Sequence, residues 1–343
     1  MMRRLRSGVT AEPQFDLQVV PAVVYKVDDP GNTGTSSFVF DLAAICSAGE
    51  LTPISAMLEL SHGLTVVERQ EWTTAMLAKI TGQRYRILPD TPIAAPRRMF
   101  ELPEAFDLHF YFRCPQALEI DSAAVHVTVA GTTGRRAEQT LRIPIQYYQQ
   151  QTRLKFPFRG RGHVGQDWVT NGGHGGGIFT DFAIDVIGLD ENYGPQRDDA
   201  GDNGSAAGWG REILAPAAGT VTFARDDVPD NSEAGKGADL DSLAALPDPV
   251  LAYLGNCVII DHGHSEHSVL GHMQQGSVTV SAGERVSGDQ VIGMLGNSGD
   301  SYGPHLHYQL QLGPRPFHDQ SVPCSFENID GPQLSRGRYF APR

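Results

Sequence analysis

Two histidines, His305 and His307, lie one residue apart in the stretch "YGPHLHYQLQL", which follows a Gly-Pro turn and alternates like a β-strand. Because side chains alternate between the two faces of a strand, both imidazoles should project from one face while Leu306 packs on the other. Two adjacent imidazoles pack poorly in an apolar core. The spacing therefore indicates a metal-binding or proton-transfer site.

Other residues with the same chemistry lie earlier in the chain. Asp185 stands in "FAIDV", where strand alternation puts its carboxylate opposite the core-facing residues. His174 lies in a Gly-rich stretch before it, and His272 follows "SVLG". A catalytic zinc site needs three protein ligands from histidine and carboxylate side chains and leaves a fourth position for water. His174, Asp185 and His307 would provide such a set.

Composition narrows the possible partners of this chain. It has 343 residues, 40% of them hydrophobic, and a formal net charge of −13. The length predicts about two domains. The negative charge argues against nucleic acid as a partner, because phosphate backbones attract basic surfaces. No apolar run approaches the roughly 20 residues needed to cross a bilayer, so no membrane span is predicted. The 4 cysteines are far apart, which excludes a disulfide scaffold and a cysteine-rich zinc module.

Strand patterns predict a mainly β protein. Alternating runs with one short helix around "EWTTAMLAKI" indicate a β-sandwich-like N-terminal domain of unknown role over residues 1–155. Short strands and glycine turns then indicate an antiparallel β domain over residues 156–330, followed by a tail at 331–343. Nine of the 12 histidines fall in this second domain.

Two long acidic loops interrupt the second domain, at Gly188–Gly210 and Asp226–Ser242. Their composition argues against regular packed structure. Calcium sites are not favoured, because the spacing of an EF-hand loop is absent. We expect solvated loops that rim the cleft, and their charge motivates the hypothesis that they select cationic or amidated peptides.

Several motifs in a fixed order give the region from His174 to Tyr308 a family resemblance. They are "AID" after the first histidine, then "LAPAAGTV", "GNCVIIDHG", "LGHM", "VSAGERVSGDQVIGMLGNSG" and "YGPHLHY". The region resembles the lysostaphin/LytM-type zinc metallopeptidases, which cut peptide bonds in bacterial cell-wall peptidoglycan. The resemblance implies a duplicated-hybrid-motif β fold, a Zn²⁺ cofactor and a peptidoglycan peptide as substrate.

Residue by residue, the resemblance makes His174, Asp185 and His307 the zinc ligands and makes His272 and His305 the non-ligand catalytic histidines. Ten residues separate His174 from Asp185, a longer interval than in many members of the family. His163 is therefore a competing candidate for the first ligand. The family's substrate implies a cell-envelope or extracellular location, although the basic N-terminal residues are not followed by the apolar stretch of a secretion signal.

The predicted function is zinc-dependent endopeptidase activity on peptidoglycan cross-links or stem peptides, through a metal-activated water. "LAPAAGTV" is also similar to biotinyl and lipoyl carrier domains, but no lysine follows Lys236 to accept a cofactor. Two alternatives remain open. One is a catalytically silent LytM-like module that binds and activates other cell-wall hydrolases. The other is a zinc peptidase that acts on a peptide outside the wall.

Overall fold

A computed structural model describes most of the chain. The described residues are 15–20, 23–28, 34–46, 51–80, 105–166, 180, 182–198, 201–233, 235–246, 252–316, 319–330, 334 and 336–343. The chain divides into two compact units: the first lies within the residues up to Tyr147, and the second consists mainly of Tyr148–Arg343 and also includes Val27–Gly34. The predicted domain limits at residues 155 and 330 stay predictions.

The first unit is built almost entirely from strands. Its elements are β1 (Phe15–Val20), β2 (Val24–Asp28), β3 (Thr35–Cys46), β4 (Leu51–His62), β5 (Thr65–Thr73), α1 (Thr74–Ile80), β6 (Ala105–Pro115), β7 (Ser122–Gly131) and β8 (Arg136–Tyr147). The strands follow the order β1-β3-β2-β8-β7-β4-β5, with β6 beside β3. One apolar cluster contains Phe38 and Phe40 of β3 together with Leu58 of β4 and Val125 of β7. One core is therefore shared by β3 and the β4–β7 pair, although neither β4 nor β7 is a neighbour of β3 in the sheet.

The second unit contains the remaining strands and one further short helix. Its elements are β9 (Gly162–Gln166), β10 (Ile184–Gly188), β11 (Glu212–Leu214), β12 (Gly219–Arg225), α2 (Leu240–Ala244), β13 (Asn256–Asp261), β14 (Glu266–Met273), β15 (Arg285–Val286), β16 (Val291–Met294), β17 (Leu306–Leu312), β18 (Ser321–Val322) and β19 (Tyr339–Phe340). The large sheet runs β15-β12-β13-β14-β17-β10-β9-β19, and its neighbours pair antiparallel. The prediction of a mainly β chain with an antiparallel second region is confirmed.

The two faces of the large sheet differ in chemistry. On β17, Leu306, Tyr308 and Leu310 belong to the main apolar core, as do Ile184 and Val186 of β10. Strand alternation places the residues between them on the opposite face. That face carries the candidate site.

The acidic loops contain more local structure than their composition predicts, so the expectation of irregular loops is wrong in part. A 3-10 turn forms at Asn203–Ser205, and α2 begins within the second loop. The physical reason is that aspartate side chains accept backbone N–H groups and so fix turns and helix starts. The aspartates that do so are Asp190, Asp202, Asp226, Asp230 and Asp239.

Helix lengths in the described part of the chain bear on membrane insertion. α1 has 7 residues and α2 has 5. Neither these nor any other described helix is long and apolar enough to cross a bilayer.

Candidate active site

Three neighbouring strands at the centre of the large sheet carry the candidate site. Asp185 on β10 is paired with His307 on β17, and His307 is paired with Gly271 on β14. A Cβ added to Gly271 would lie 3.1 Å from the Leu254 carbonyl oxygen and 3.5 Å from the His307 Cβ. A glycine at this position therefore leaves room for the imidazole beside it.

Asp185 is the anionic centre of the cluster. Its Oδ1 atom lies 3.0 Å from His307 Nδ1 and 3.6 Å from His305 Nε2. The Asp185 residue is only 7% exposed and His307 is 3% exposed. A buried carboxylate is retained in proteins when charged or hydrogen-bonding groups surround it, and here two imidazoles do so.

His272 reaches the cluster through a β-bulge. Asn256 pairs with Met273 and Val258 pairs with Leu270, so β14 has one extra residue between these positions, and His272 has a φ of 59°. Bulges of this kind redirect a side chain. The His272 ring centroid lies 4.6 Å from that of His305.

Backbone acceptors fix the orientation of His272. Its backbone N–H donates to the Leu254 carbonyl at 2.7 Å, and its Nδ1 lies 2.7 Å from the Ser298 carbonyl oxygen. Because a carbonyl can only accept, Nδ1 carries the proton and Nε2 is the acceptor in the neutral ring. Burial, followed by the neighbouring His305 and His307, holds the pKa of His272 well below its usual value.

His305 is fixed in the same way by the loop that precedes β17. Its Nδ1 lies 2.8 Å from the Gly303 carbonyl and 3.1 Å from the Ser301 hydroxyl. Nδ1 therefore carries the proton, and Nε2 is directed toward Asp185. Burial lowers the pKa of His305, but the charge and hydrogen bonding of Asp185, the Gly303 carbonyl and the Asp300 charge together outweigh burial, so the pKa is raised above its usual value.

His307 has partners at both ring nitrogens. Nδ1 faces Asp185, and Nε2 lies 3.1 Å from Oε1 of Gln309. A histidine nitrogen and a carboxylate oxygen that face each other at this distance are suitable ligands for one zinc ion. Asp185 and His307 therefore fit two of the three predicted ligand positions.

The remaining ligand is not decided by the described structure. His174 lies outside the described residues. His163 lies on β9 opposite Ile187, and its ring stacks at 4.4 Å against the ring of Tyr339. Within the described part of the chain, no group of three or more His, Cys, Asp or Glu side chains is arranged to hold a metal ion.

A cavity of about 510 Å³ lies in the second acidic loop and α2. Asp230, Asn231 and Lys236 contribute to its lining. The Asn231 amide nitrogen donates to the carbonyls of Gly299 and Ser301, at 3.0 Å in both cases. The cavity wall is thus hydrogen-bonded to the loop whose Ser298 carbonyl and Ser301 hydroxyl contact His272 and His305.

Sequence reasoning missed the residues that orient these histidines. The Ser298 carbonyl is a backbone group, and no side-chain pattern reveals it. Ser301 stands in "GNSGDS", whose small polar residues indicate a turn but no partner. Gln309 could have been found, because it continues the alternation of His305 and His307 along the same strand.

The large β-sheet thus brings three imidazoles and one carboxylate together in a single cluster. Residues 204–319 match the sequence profile of Peptidase family M23. About a third of the chain is therefore similar to this peptidase family. The matched region includes His272, His305 and His307 but begins after Asp185, so it is the strand pairing of β10 with β17 that brings the carboxylate to them.

Two curated relatives are similar over short segments. Peptidoglycan DD-endopeptidase ShyA of Vibrio cholerae serotype O1 is 42% identical over 64 residues, which is 19% of this chain and 14% of ShyA. DD-carboxypeptidase/endopeptidase Mpg of Neisseria meningitidis serogroup B is 37% identical over 68 residues, which is 20% of this chain and 15% of Mpg. The similar segments thus span only about one-seventh of the length of these relatives.

Solved structures with detectable similarity include two peptidases. The M23 metalloprotease pseudoalterin from the deep sea has 16% sequence identity and a TM-score of 0.32, over 57% of this chain and 98% of pseudoalterin. The catalytic domain of the antimicrobial peptidase lysostaphin from Staphylococcus simulans has 16% identity and a TM-score of 0.27, over 48% of this chain and 88% of that domain.

Proposed function

We propose that this protein is a zinc-dependent endopeptidase that hydrolyses peptide bonds in peptidoglycan cross-links or stem peptides. The observation that carries the proposal is the convergence of Asp185, His272, His305 and His307 into one cluster, from three adjacent strands and the loop before β17. The family match supports a peptidase, and the names of ShyA and Mpg support a peptidoglycan substrate. Such a substrate places the protein in the cell envelope or outside the cell.

Asp185 and His307 would hold the zinc, together with His174 or, in the competing assignment, His163. When bound, zinc would polarise the scissile carbonyl and lower the pKa of a water molecule. In peptide hydrolysis the water oxygen adds to the carbonyl carbon, the C–N bond breaks, and a proton from water ends on the departing amine.

His272 and His305 would move that proton. Each ring has its Nδ1–H committed to a backbone carbonyl, so the neutral ring presents Nε2 as a proton acceptor. We propose that His305 orients or deprotonates the water. A His272 ring that has accepted a proton could then donate it to the oxyanion or to the departing amine. Acid–base assistance of this kind typically contributes roughly 10²–10⁴ in rate.

The test combines metal analysis with release of muropeptides from purified sacculi. His305→Ala should retain zinc and lose about 10²–10⁴-fold in release rate, because it removes a proton carrier and leaves the ligands in place. His307→Ala should lose both zinc and release. Equal release by wild type and His305→Ala would contradict the catalytic role of His305.

Two further variants decide the third ligand. If His174 is the ligand, His174→Ala should lose zinc and His163→Ala should keep it. The reverse result would assign the ligand role to His163. A wild-type protein that binds no zinc and releases no muropeptide would instead support the silent module that activates other hydrolases. Zinc binding with cleavage of peptides but not of sacculi would support a substrate outside the wall.

A further inference from the structure

A column of buried polar side chains continues from His307 along one face of β17. His307, Gln309 and Gln311 are 3%, 1% and 0% exposed, whereas the alternate residues on the other face form the apolar core. Burying an amide costs free energy unless the amide is hydrogen-bonded. Two consecutive buried glutamines beside an imidazole are therefore expected to have defined partners.

The three side chains form one directed series of hydrogen bonds. Gln311 Nε2 donates to the Gly313 carbonyl at 2.7 Å, Gln309 Nε2 donates to Gln311 Oε1 at 2.7 Å, and Gln309 Oε1 faces His307 Nε2 at 3.1 Å. The direction is fixed at its far end, because a backbone carbonyl can only accept. Gln311 must point its amide nitrogen at Gly313, and Gln309 must then present its oxygen to the imidazole.

This direction determines which nitrogen of His307 carries the proton. An amide oxygen requires a donor, so the neutral ring has its hydrogen on Nε2 and a lone pair on Nδ1. That lone pair points at Asp185 Oδ1 from 3.0 Å. Two acceptors at this distance repel each other unless a proton or a cation lies between them.

We propose that Gln309, held in place by Gln311, is a positioning residue that fixes His307 in the Nε2–H tautomer and so makes Nδ1 the metal-binding atom. The inference rests on the zinc site of the proposed function. Hydrogen bonds to the far nitrogen of a ligand histidine orient the ring, and removing them typically costs about 10–100-fold in metal affinity. Because every second residue of a strand lies on the same face, Gln311 can orient Gln309, and Gln309 can orient His307.

The first test compares zinc affinity between two isosteric variants, by competition with a chromophoric chelator. Gln309→Met removes the acceptor and should weaken zinc binding about 10–100-fold. The matched control is Gln320→Met, which removes another buried glutamine of the same unit, one whose side-chain atoms have no hydrogen-bond partner in the described structure. Gln320→Met should bind zinc as the wild type does.

Two additional variants separate positioning from simple packing. Gln309→Glu keeps an acceptor for His307 Nε2 and should recover most of the zinc affinity. Gln311→Met leaves Gln309 in place but frees its amide to rotate, so it should weaken zinc binding less than Gln309→Met does. If Gln309→Met fails to fold, the zinc affinity of Gln311→Met is compared with that of Gln320→Met instead. Equal affinities of these two variants would contradict the proposal.

The second readout needs neither zinc nor activity. In zinc-free Asp185→Ala protein labelled with ¹⁵N-histidine, which lacks the carboxylate that competes for a proton on Nδ1, the neutral His307 ring should show the Nε2–H tautomer, and adding Gln309→Met should shift it toward Nδ1–H. The His307→Ala variant assigns the signal. An Nδ1–H ring in the Asp185→Ala protein, or wild-type zinc affinity in folded Gln309→Met, would overturn the proposal. If the wild type binds no zinc, the proposed function fails, and the tautomer spectrum still decides whether Gln309 controls the ring.

Discussion

Glu266 provides the sharpest test of how the second unit is stabilised. Its carboxylate is fully buried and accepts three hydrogen bonds, with no arginine or lysine among the donors. Oε1 accepts from the Tyr148 hydroxyl and the Gln151 backbone N–H, and Oε2 accepts from the Thr152 backbone N–H, all at 2.7 Å. The segment that opens the second unit is therefore attached to the start of β14 by one side chain.

Replacing Glu266 with glutamine should destabilise the fold by about 2–4 kcal/mol. A glutamine that keeps its oxygen at the Oε1 position retains two hydrogen bonds but loses their charge. Its amide nitrogen then faces the Thr152 N–H, so an acceptor is replaced by a second donor. Hydrogen bonds to charged groups contribute about 1.5–3 kcal/mol each, and an unsatisfied buried donor costs about 1–3 kcal/mol. The measurement is the urea midpoint at pH 7.

The stability difference between wild type and Glu266→Gln should decrease as the pH falls. Burial raises the pKa of Glu266, but the hydrogen bonds from Thr152, Gln151 and Tyr148 outweigh it and leave the pKa below its ordinary value of 4.5. A carboxyl whose pKa is lower in the folded than in the unfolded chain stabilises the fold fully above its unfolded pKa. That contribution is lost as the pH falls through the folded pKa. The difference between wild type and Glu266→Gln should therefore shrink below about pH 4.5.

Glu327→Gln is the matched control, because the side chain of Glu327 forms an exposed ion pair with Arg153. Exposed pairs contribute about 0–1 kcal/mol, so this variant should unfold close to the wild type. A Glu266→Gln midpoint equal to that of Glu327→Gln at pH 7 would refute the reasoning. So would a difference that persists unchanged at pH 3.

Three other substitutions test the loops that orient the site. Gly299→Ala should destabilise by about 2–4 kcal/mol in urea titrations and should reduce activity, since φ is +74° and the new Cβ would lie 2.3 Å from the Gly255 nitrogen. Asn256→Asp should cost about 2–4 kcal/mol in the same assay, because it directs a carboxylate at the carbonyls of Val228 and Met273, to which the amide now donates. Arg211→Lys should lower thermal stability by about 1.5–3 kcal/mol, since an ammonium cannot reproduce the fork that now reaches two carbonyls. A variant that is as stable as Glu327→Gln would contradict the stabilising role of the contact that it changes.

Strand alternation explains why much of the site could be predicted from the sequence. His307 and Asp185 each occupy a position opposite the core, and the side-chain period of two is a property of any strand. The short helix predicted around "EWTTAMLAKI" forms as α1 at Thr74–Ile80. What alternation does not determine is which strands become neighbours. The register of β10 against β17 depends on the whole sheet, and it is this register that joins Asp185 to His307.

The acidic loops show why other features could not be predicted. Clusters of aspartate were expected to be solvated and available to a substrate. In the structure Asp226 and Asp230 accept backbone N–H groups from the segment at Gln275–Val278 and from Asn297. A carboxylate that fixes a turn and one that binds a cation have the same sequence signature, and only the position of the distant backbone donor distinguishes them.

The three histidines of the cluster are oriented in a similar way. In each, one ring nitrogen is held by an acceptor, so the other nitrogen faces the site with a lone pair when the ring is neutral. The acceptors are backbone carbonyls for His272 and His305, and both of these rings are held at Nδ1. His307 stands within the strand, where its acceptor is the side chain two residues further along, and it is held at Nε2 instead. The ring held within β17 therefore presents Nδ1 to Asp185, while the two rings held by loop carbonyls present Nε2. This difference is consistent with the proposal that one of the three imidazoles is a metal ligand and the other two are proton carriers.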